Sequence, residues 1–253
     1  MENEPKVKSL QKALDVLSCF SSKKPKLGVS EIARMLDLNK SNVHNILSTL
    51  EKSGYVRKGA LTDKYLLGNK ILELSYTVMS SYKYTNAILP EIEVLSKKLN
   101  TTVYFAIPHG TFVLYLFASY PAEYESNIPY RSIMGETAPF YCTSLGKAML
   151  MTMEKDEALQ HLTDERVQYT MNTIMDNDAL FADVEESKKR GYAIDEIEHE
   201  MNIRSVGVPV KDRNGKLIGA LSASGPSNII TVEKVPEIAQ KILTSAFQIR
   251  ERV

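Results

Sequence analysis

Three groups of side chains in this chain have the types and spacing to do chemistry. The first lies at residues 40–48. Here Lys40, Ser41, Asn42, His44, Asn45 and Ser48 share one face of a helical run, while Val43, Ile46, Leu47 and Leu50 share the other. Asparagine can bond an adenine edge through two hydrogen bonds, and lysine can bond guanine or a phosphate. The second group is Arg57, Lys58 and Lys64, set around the turn residues 59–63, where cations can hold a phosphate backbone without reading its sequence. The third is scattered along the second half. The step from Thr143 to Ser144 opens a helix whose first backbone N–H groups attract anions. Ser222 and Ser224 alternate on one strand, so both hydroxyls point to the same face, and Asp195 and Ser205 stand near the ends of neighbouring strands. On spacing alone two readings of this group stay open: a shared pocket, or polar groups that merely satisfy local backbone.

The same residue types do not assemble into catalysis. His199, in EIEHE, lacks the second histidine of a helical zinc-protease motif, and GKAM at 146–149 lacks the glycine and the Ser/Thr of a phosphate-binding loop. His109 and His161 have no nucleophile-plus-carboxylate signature beside them. The sequence therefore implies no catalytic residue, no metal site and no cofactor.

The elements that must carry these groups can be traced from periodicity and breakers. Residues 7–20 place Leu10, Ala13, Leu14, Leu17 and Phe20 in one helical stripe, and the SSKKPK segment ends it. Ser30 is the expected N-cap of a short helix, SEIARMLDL, with Ile32, Ala33 and Leu36 inward. A turn at 37–39 leads to the helix of the first group, with Gly54 as its C-cap. A short helix bracing a longer one with an exposed polar N-terminal half is the pattern of a helix-turn-helix. The segment YVRKGALTDKYLLG then reads as two short strands forming a wing. Helices follow at 69–82 and 84–99, then strands at TTVYFAI, TFVLYLFASY and SNIPYRSIM (126–134). Further helices are expected at 143–153, 154–162, 178–190 and 231–250, with strands at YAIDEI, RSVGVPV and KLIGALSAS. The reading is α+β: a winged helix-turn-helix at 1–68, a linker helix at 69–84, and an antiparallel-sheet domain at 85–253.

Composition agrees. The chain has 253 residues, 43% apolar and 25% charged, the balance of a globular protein. Its zero net charge hides an asymmetry: residues 1–70 carry 13 Lys and Arg against 7 Asp and Glu, and the remainder carries 18 against 24. A basic first part containing the helix-turn-helix points to a polyanionic partner, double-stranded DNA. A winged helix that binds another protein is the rival reading. Salt separates the two, because phosphate contacts weaken steeply as salt rises and an apolar interface does not. No apolar run of about 18 residues is present, and the N-terminus has no signal-peptide core. With Cys19 and Cys142 far apart and read as reduced thiols, a cytoplasmic location is expected.

These residues resemble the isocitrate-lyase-regulator (IclR) family of bacterial transcriptional regulators. The resemblance runs along the whole chain: KSNVHNIL, the YxLG pattern at 65–68, FYCTSLGKAML at 140–150, RGYAIDEIEHE at 190–200, IRSVGVPV at 203–210 and GALSASGP at 219–226. It implies a GAF-like effector domain, a homodimer or a dimer of dimers, and a pseudopalindromic operator. It also implies a small carboxylate or aromatic effector, held by amides at Ser144 and Leu145 and by Asp195, Ser205, Ser222 and Ser224. Opposite Asp195, a hydroxy- or keto-acid is the expected ligand. Three positions depart from the family pattern. Ser205 stands where cysteine is frequent, Asn202 where glycine is usual, and Asn45 where arginine is frequent, which shifts the expected base preference from guanine towards adenine.

Overall fold

The computed structural model describes residues 5–121 and 133–253, and the chain divides into two compact units at residues 82 and 83. In the first unit α1 (Lys8–Ser18), α2 (Val29–Leu36) and α3 (Lys40–Lys52) enclose Val16, Ile32, Val43 and Leu47, all fully buried. A hairpin of β1 (Val56–Lys58) and β2 (Tyr65–Leu67) closes that core with Val56 and Tyr65, and α4 (Lys70–Ser81) follows.

Local chemistry explains where these helices start and stop. The N-cap of α2 is Gly28 rather than Ser30, because the Glu31 carboxylate reaches back to accept the Gly28 N–H at 2.7 Å. Ser30 lies inside the first turn. Asp37, at φ +51°, makes the tight turn between α2 and α3, and Gly54 (φ +77°) ends the third helix one residue beyond its C-cap, Ser53. The stripe expected on α1 is only partly inward. Phe20 is buried and Ala13 and Leu17 are half-buried, but Leu10 and Leu14 are about half exposed, and the fully buried Val16 lies outside the expected stripe. No residue of α4 is buried.

The second unit is built on a six-stranded antiparallel sheet, in the order β5-β4-β3-β8-β7-β6. Its strands are β3 (Thr102–His109), β4 (Phe112–Ser119), β5 (Thr137–Pro139), β6 (Ala193–Glu196), β7 (Ile203–Lys211) and β8 (Leu217–Pro226). The alternation of β3, β7 and β8 sends Val103, Phe105, Val206, Val208, Leu221 and Ala223 to one face, where α5 (Thr85–Leu99) and α9 (Val235–Arg250) pack. The other face, polar towards one end, meets α6 (Ser144–Leu150), with α7 (Lys155–Leu159) and α8 (Asn177–Arg190) beyond it.

Several expected bounds change. The first seven residues of the strand expected at 126–134 lie outside the described residues, while Ile133 and Met134 are irregular. The sheet gains β5, which three residues are too few to signal by alternation. Both α6 and α7 are shorter than expected. The strand YAIDEI stops at Glu196 because Ile197 adopts φ +59°, a region strained for a β-branched residue.

Candidate functional site

In the first unit the polar face of α3 is free for contact. Lys40, Ser41, His44 and Asn45 are exposed and Asn42 is half-buried, while Val43 and Leu47 are sealed behind them. Arg57 on β1 is exposed and carries no ion pair among the described residues. The other two wing cations are engaged. Lys58 Nζ lies 2.9 Å from Asp63 Oδ1, and Lys64 Nζ lies 3.0 Å from Glu31 Oε1. The second pair ties the start of β2 to the carboxylate that caps α2, so Lys64 braces the wing against the helices. The Gly28 N–H and the Lys64 ammonium hold the Glu31 carboxyl below its usual range.

In the second unit all six of the other sequence-chosen residues, Ser144, Leu145, Asp195, Ser205, Ser222 and Ser224, line one cavity of about 400 Å³. Strand register explains the convergence. Asp195 pairs with Ser205, Ser205 with Ser224, and Ser224 with Thr102, a polar row across four strands. The next same-face row runs Gly207, Ser222, Tyr104. The start of α6 forms the opposite wall. A Cβ on Gly207 would stand 2.4 Å from the Ser144 carbonyl oxygen, so only glycine lets the helix approach this closely. The helix has seven residues and its first turn is capped by Thr143 Oγ1, which accepts the Gly146 N–H at 3.1 Å. So short a helix contributes little macrodipole, and hydroxyl donors matter more than the expected 143–153 helix suggested.

Hydrogen bonds join three of these residues. Ser144 Oγ and Ser205 Oγ are 2.7 Å apart, and Ser205 Oγ lies 3.3 Å from Asp195 Oδ2. Asp195 Oδ1 accepts the backbone N–H of Glu198 at 2.7 Å and of His199 at 3.4 Å. Burial pushes the Asp195 carboxyl up to about 7, against the pull of the Glu198 N–H. Among the further lining residues that sequence reasoning missed are Thr102, Tyr104, Tyr115, Glu136, His199 and Glu200. Thr102 and Tyr104 did leave a signal: two polar side chains in one phase of an otherwise apolar strand.

Behind the cavity lies a buried ion cluster that the sequence did not reveal. Lys147 of α6, 1% exposed, donates to Glu198 Oε1 at 2.5 Å and pairs with Asp183 Oδ2 of α8 at 2.8 Å. Burial opposes the Lys147 charge, yet Glu198 and Asp183 prevail and hold its ammonium above the usual lysine range. Burial likewise raises the Glu198 carboxyl, with Lys147 opposing. Thr170 Oγ1 and Thr173 Oγ1 donate to the carbonyls of Ile197 and Glu198 at 2.6 Å each, which offsets the strain at Ile197. Asn202, at φ +64°, stands where backbone geometry favours glycine, and asparagine tolerates that region.

A winged helix-turn-helix joined in one chain to a separate sheet domain with a hydroxyl-lined cavity is the build of a DNA-binding transcriptional regulator. The family model for the IclR helix-turn-helix domain matches residues 9–60, and the model for the C-terminal domain of bacterial IclR transcriptional regulators matches residues 76–251. The chain belongs to the IclR family of bacterial transcriptional regulators. It is 29% identical over 226 residues to the HTH-type transcriptional regulator XynR of Escherichia coli K12, covering 87% of this chain and 86% of that protein. To KdgR of the same organism it is 27% identical over 246 residues, covering 96% and 91%. An IclR family regulator from Brucella abortus superposes with a TM-score of 0.81 at 26% identity, covering 100% of this chain and 95% of that one. Among the described residues no helix is long and apolar enough to cross a membrane.

Proposed function

We propose that the protein is a repressor that binds a pseudopalindromic operator as a homodimer and is released by a small hydroxy- or keto-carboxylate. The observation that carries the ligand half is the convergence of hydroxyls from six elements, with one buried carboxylate, on a single cavity. Ser41, Asn42, His44 and Asn45 read base edges and Lys40 meets the backbone at the start of α3. Arg57 holds a phosphate outright, Lys58 exchanges Asp63 for one, and Lys64 keeps the wing in place. The exposed Leu10 and Leu14 of α1, with Leu72, Tyr76 and Val78 of α4, supply apolar surface for a second copy.

In the cavity the ligand carboxylate sits by the Ser144 hydroxyl and the first-turn amides of Ser144 and Leu145. Ser222 and Ser224 contact the rest of the molecule, and Asp195 faces it. Binding regulates only if the ligand favours one dimer arrangement over another. The test is thermal unfolding of the full chain against pyruvate, glycolate, D-gluconate and benzoate. At 100 times the dissociation constant a bound acid adds about 2.7 kcal/mol of stability. A shift with one acid, lost in Ser222→Ala, is the expected result. A shift with benzoate alone replaces the hydroxy-acid class by an aromatic one.

A further inference from the structure

The described lining of the cavity contains Asp195, Glu136 and Glu200 but no lysine or arginine. A carboxylate entering it meets acids and hydroxyls with no cation to neutralise it, a costly arrangement beside a carboxyl as buried as Asp195. The hydrogen-bond chain from Asp195 through Ser205 to Ser144 offers a way out, because its direction is fixed by one proton. An ionised Asp195 can only accept, so Ser205 must donate to it. Ser205 then has no proton for Ser144, so Ser144 donates to Ser205 and turns only lone pairs to the cavity. With a proton on Asp195 Oδ2 the chain reverses. Asp195 donates to Ser205, Ser205 to Ser144, and the Ser144 hydroxyl is freed to donate to an anion.

We propose that the cavity takes its carboxylate ligand together with one proton from solvent, which Asp195 holds, and that the Asp195–Ser205–Ser144 chain reverses as it binds. This rests on the acid-effector reading above. The balance is simple: ligand anion, ionised protein and one proton give a complex with the ligand ionised and Asp195 neutral. The second lone pair of Oδ2 remains able to accept a ligand hydroxyl.

The groups that face Asp195 leave it as the proton acceptor. Lys147 of α6 is locked to Glu198 and Asp183, and Arg204 of β7 to Glu196. Tyr115 of β4 and Cys142 before α6 are both pushed by burial towards their neutral forms. Glu198 is held by Lys147, whereas Glu136 and Glu200 line the cavity outside the chain. His199 also lines the cavity, and burial lowers its proton affinity. Burial already places the Asp195 carboxyl near 7, so the proton is within reach at physiological pH.

The experiment is titration calorimetry of the full chain with pyruvate, glycolate and D-gluconate, in paired buffers of different ionisation heat. Proton uptake should rise from near zero at pH 6 to about one at pH 8, and the dissociation constant should climb about tenfold per pH unit above 7. Asp195→Asn keeps the acceptor for the Glu198 and His199 amides and donates permanently to Ser205. It should bind the same acid with no uptake and no pH dependence. An acid that binds the wild type at pH 8 without proton uptake overturns the inference and leaves the effector reading intact. Uptake that survives in Asp195→Asn also overturns it and places the proton on another group of the lining, such as His199, Glu136 or Glu200. If none of the three acids binds either form, the acid-effector reading fails and the inference falls with it.

Discussion

Replacing Lys147 by methionine keeps the length and volume of its stem but removes the ammonium that pairs with both Glu198 and Asp183, leaving Arg190 of α8, 3.6 Å from Asp183 Oδ1, to face Asp183 alone. Glu198 is 3% exposed, its Oε2 already has no hydrogen-bond partner among the described residues, and Asp183 Oδ2 loses its ammonium. Breaking a buried pair on one side costs about 3–5 kcal/mol, most of it from the charge left behind. For a unit of this size that corresponds to a loss of roughly 6–20 °C in its unfolding midpoint. The pH dependence gives a second readout. Without Lys147, burial raises the Glu198 carboxyl further, so the folded state binds a proton that the unfolded state releases. Stability of Lys147→Met should therefore fall as pH rises from the ordinary glutamate range towards 8, and return in part at pH 5. Lys147→Met with Glu198→Gln should recover most of the loss, since it removes the Lys147–Glu198 pair and leaves Asp183 with Arg190. Differential scanning calorimetry of the full chain at pH 5 and pH 8 measures both effects. A cost below about 1 kcal/mol, with no gain on acidification, would refute the view of these residues as a tightly coupled buried cluster.

Packing at Gly207 and charge at Asp63 lead to two further outcomes. Gly207→Ala places a methyl 2.4 Å from the Ser144 carbonyl oxygen, so α6 must lift from the sheet. A cost of about 1–3 kcal/mol is expected, with loss of ligand binding, and circular dichroism melts with calorimetry check it. Asp63→Asn frees Lys58 from its exposed partner, so operator binding should tighten by about 1.5- to 5-fold, with a steeper salt dependence in fluorescence anisotropy. Unchanged affinity would mean that Lys58 never reaches the DNA.

Much of the fold was legible because the signals were local. The apolar faces of α2 and α3, the left-handed Gly54 and the alternation of β7 and β8 each declare themselves within a few residues. The cap of α2 was misplaced because Ser30 and Gly28 are both reasonable N-caps, and the choice falls to Glu31, whose carboxylate also holds Lys64 from 33 residues away. The outward turn of Leu10 and Leu14 is equally opaque to periodicity, which gives a stripe but not what covers it. For the cavity, sequence order places Ser144, Asp195, Ser205 and Ser222 far apart. Family resemblance grouped them, and register brings them to one face. The cluster of Lys147, Asp183 and Glu198 stayed hidden because each residue alone reads as an ordinary surface charge on a helix or loop.

The central claim, that the exposed half of α3 reads DNA bases, is tested most directly by selecting operators from a random duplex pool. Wild-type protein would be compared with Asn45→Ala and Arg57→Ala. The account predicts a pseudopalindrome for the wild type. Asn45→Ala should lose discrimination at one symmetry-related pair of positions, worth about 1–3 kcal/mol, and Arg57→Ala should weaken all sequences alike. An Asn45→Ala protein that selects the wild-type sequence with undiminished preference at every position would contradict it.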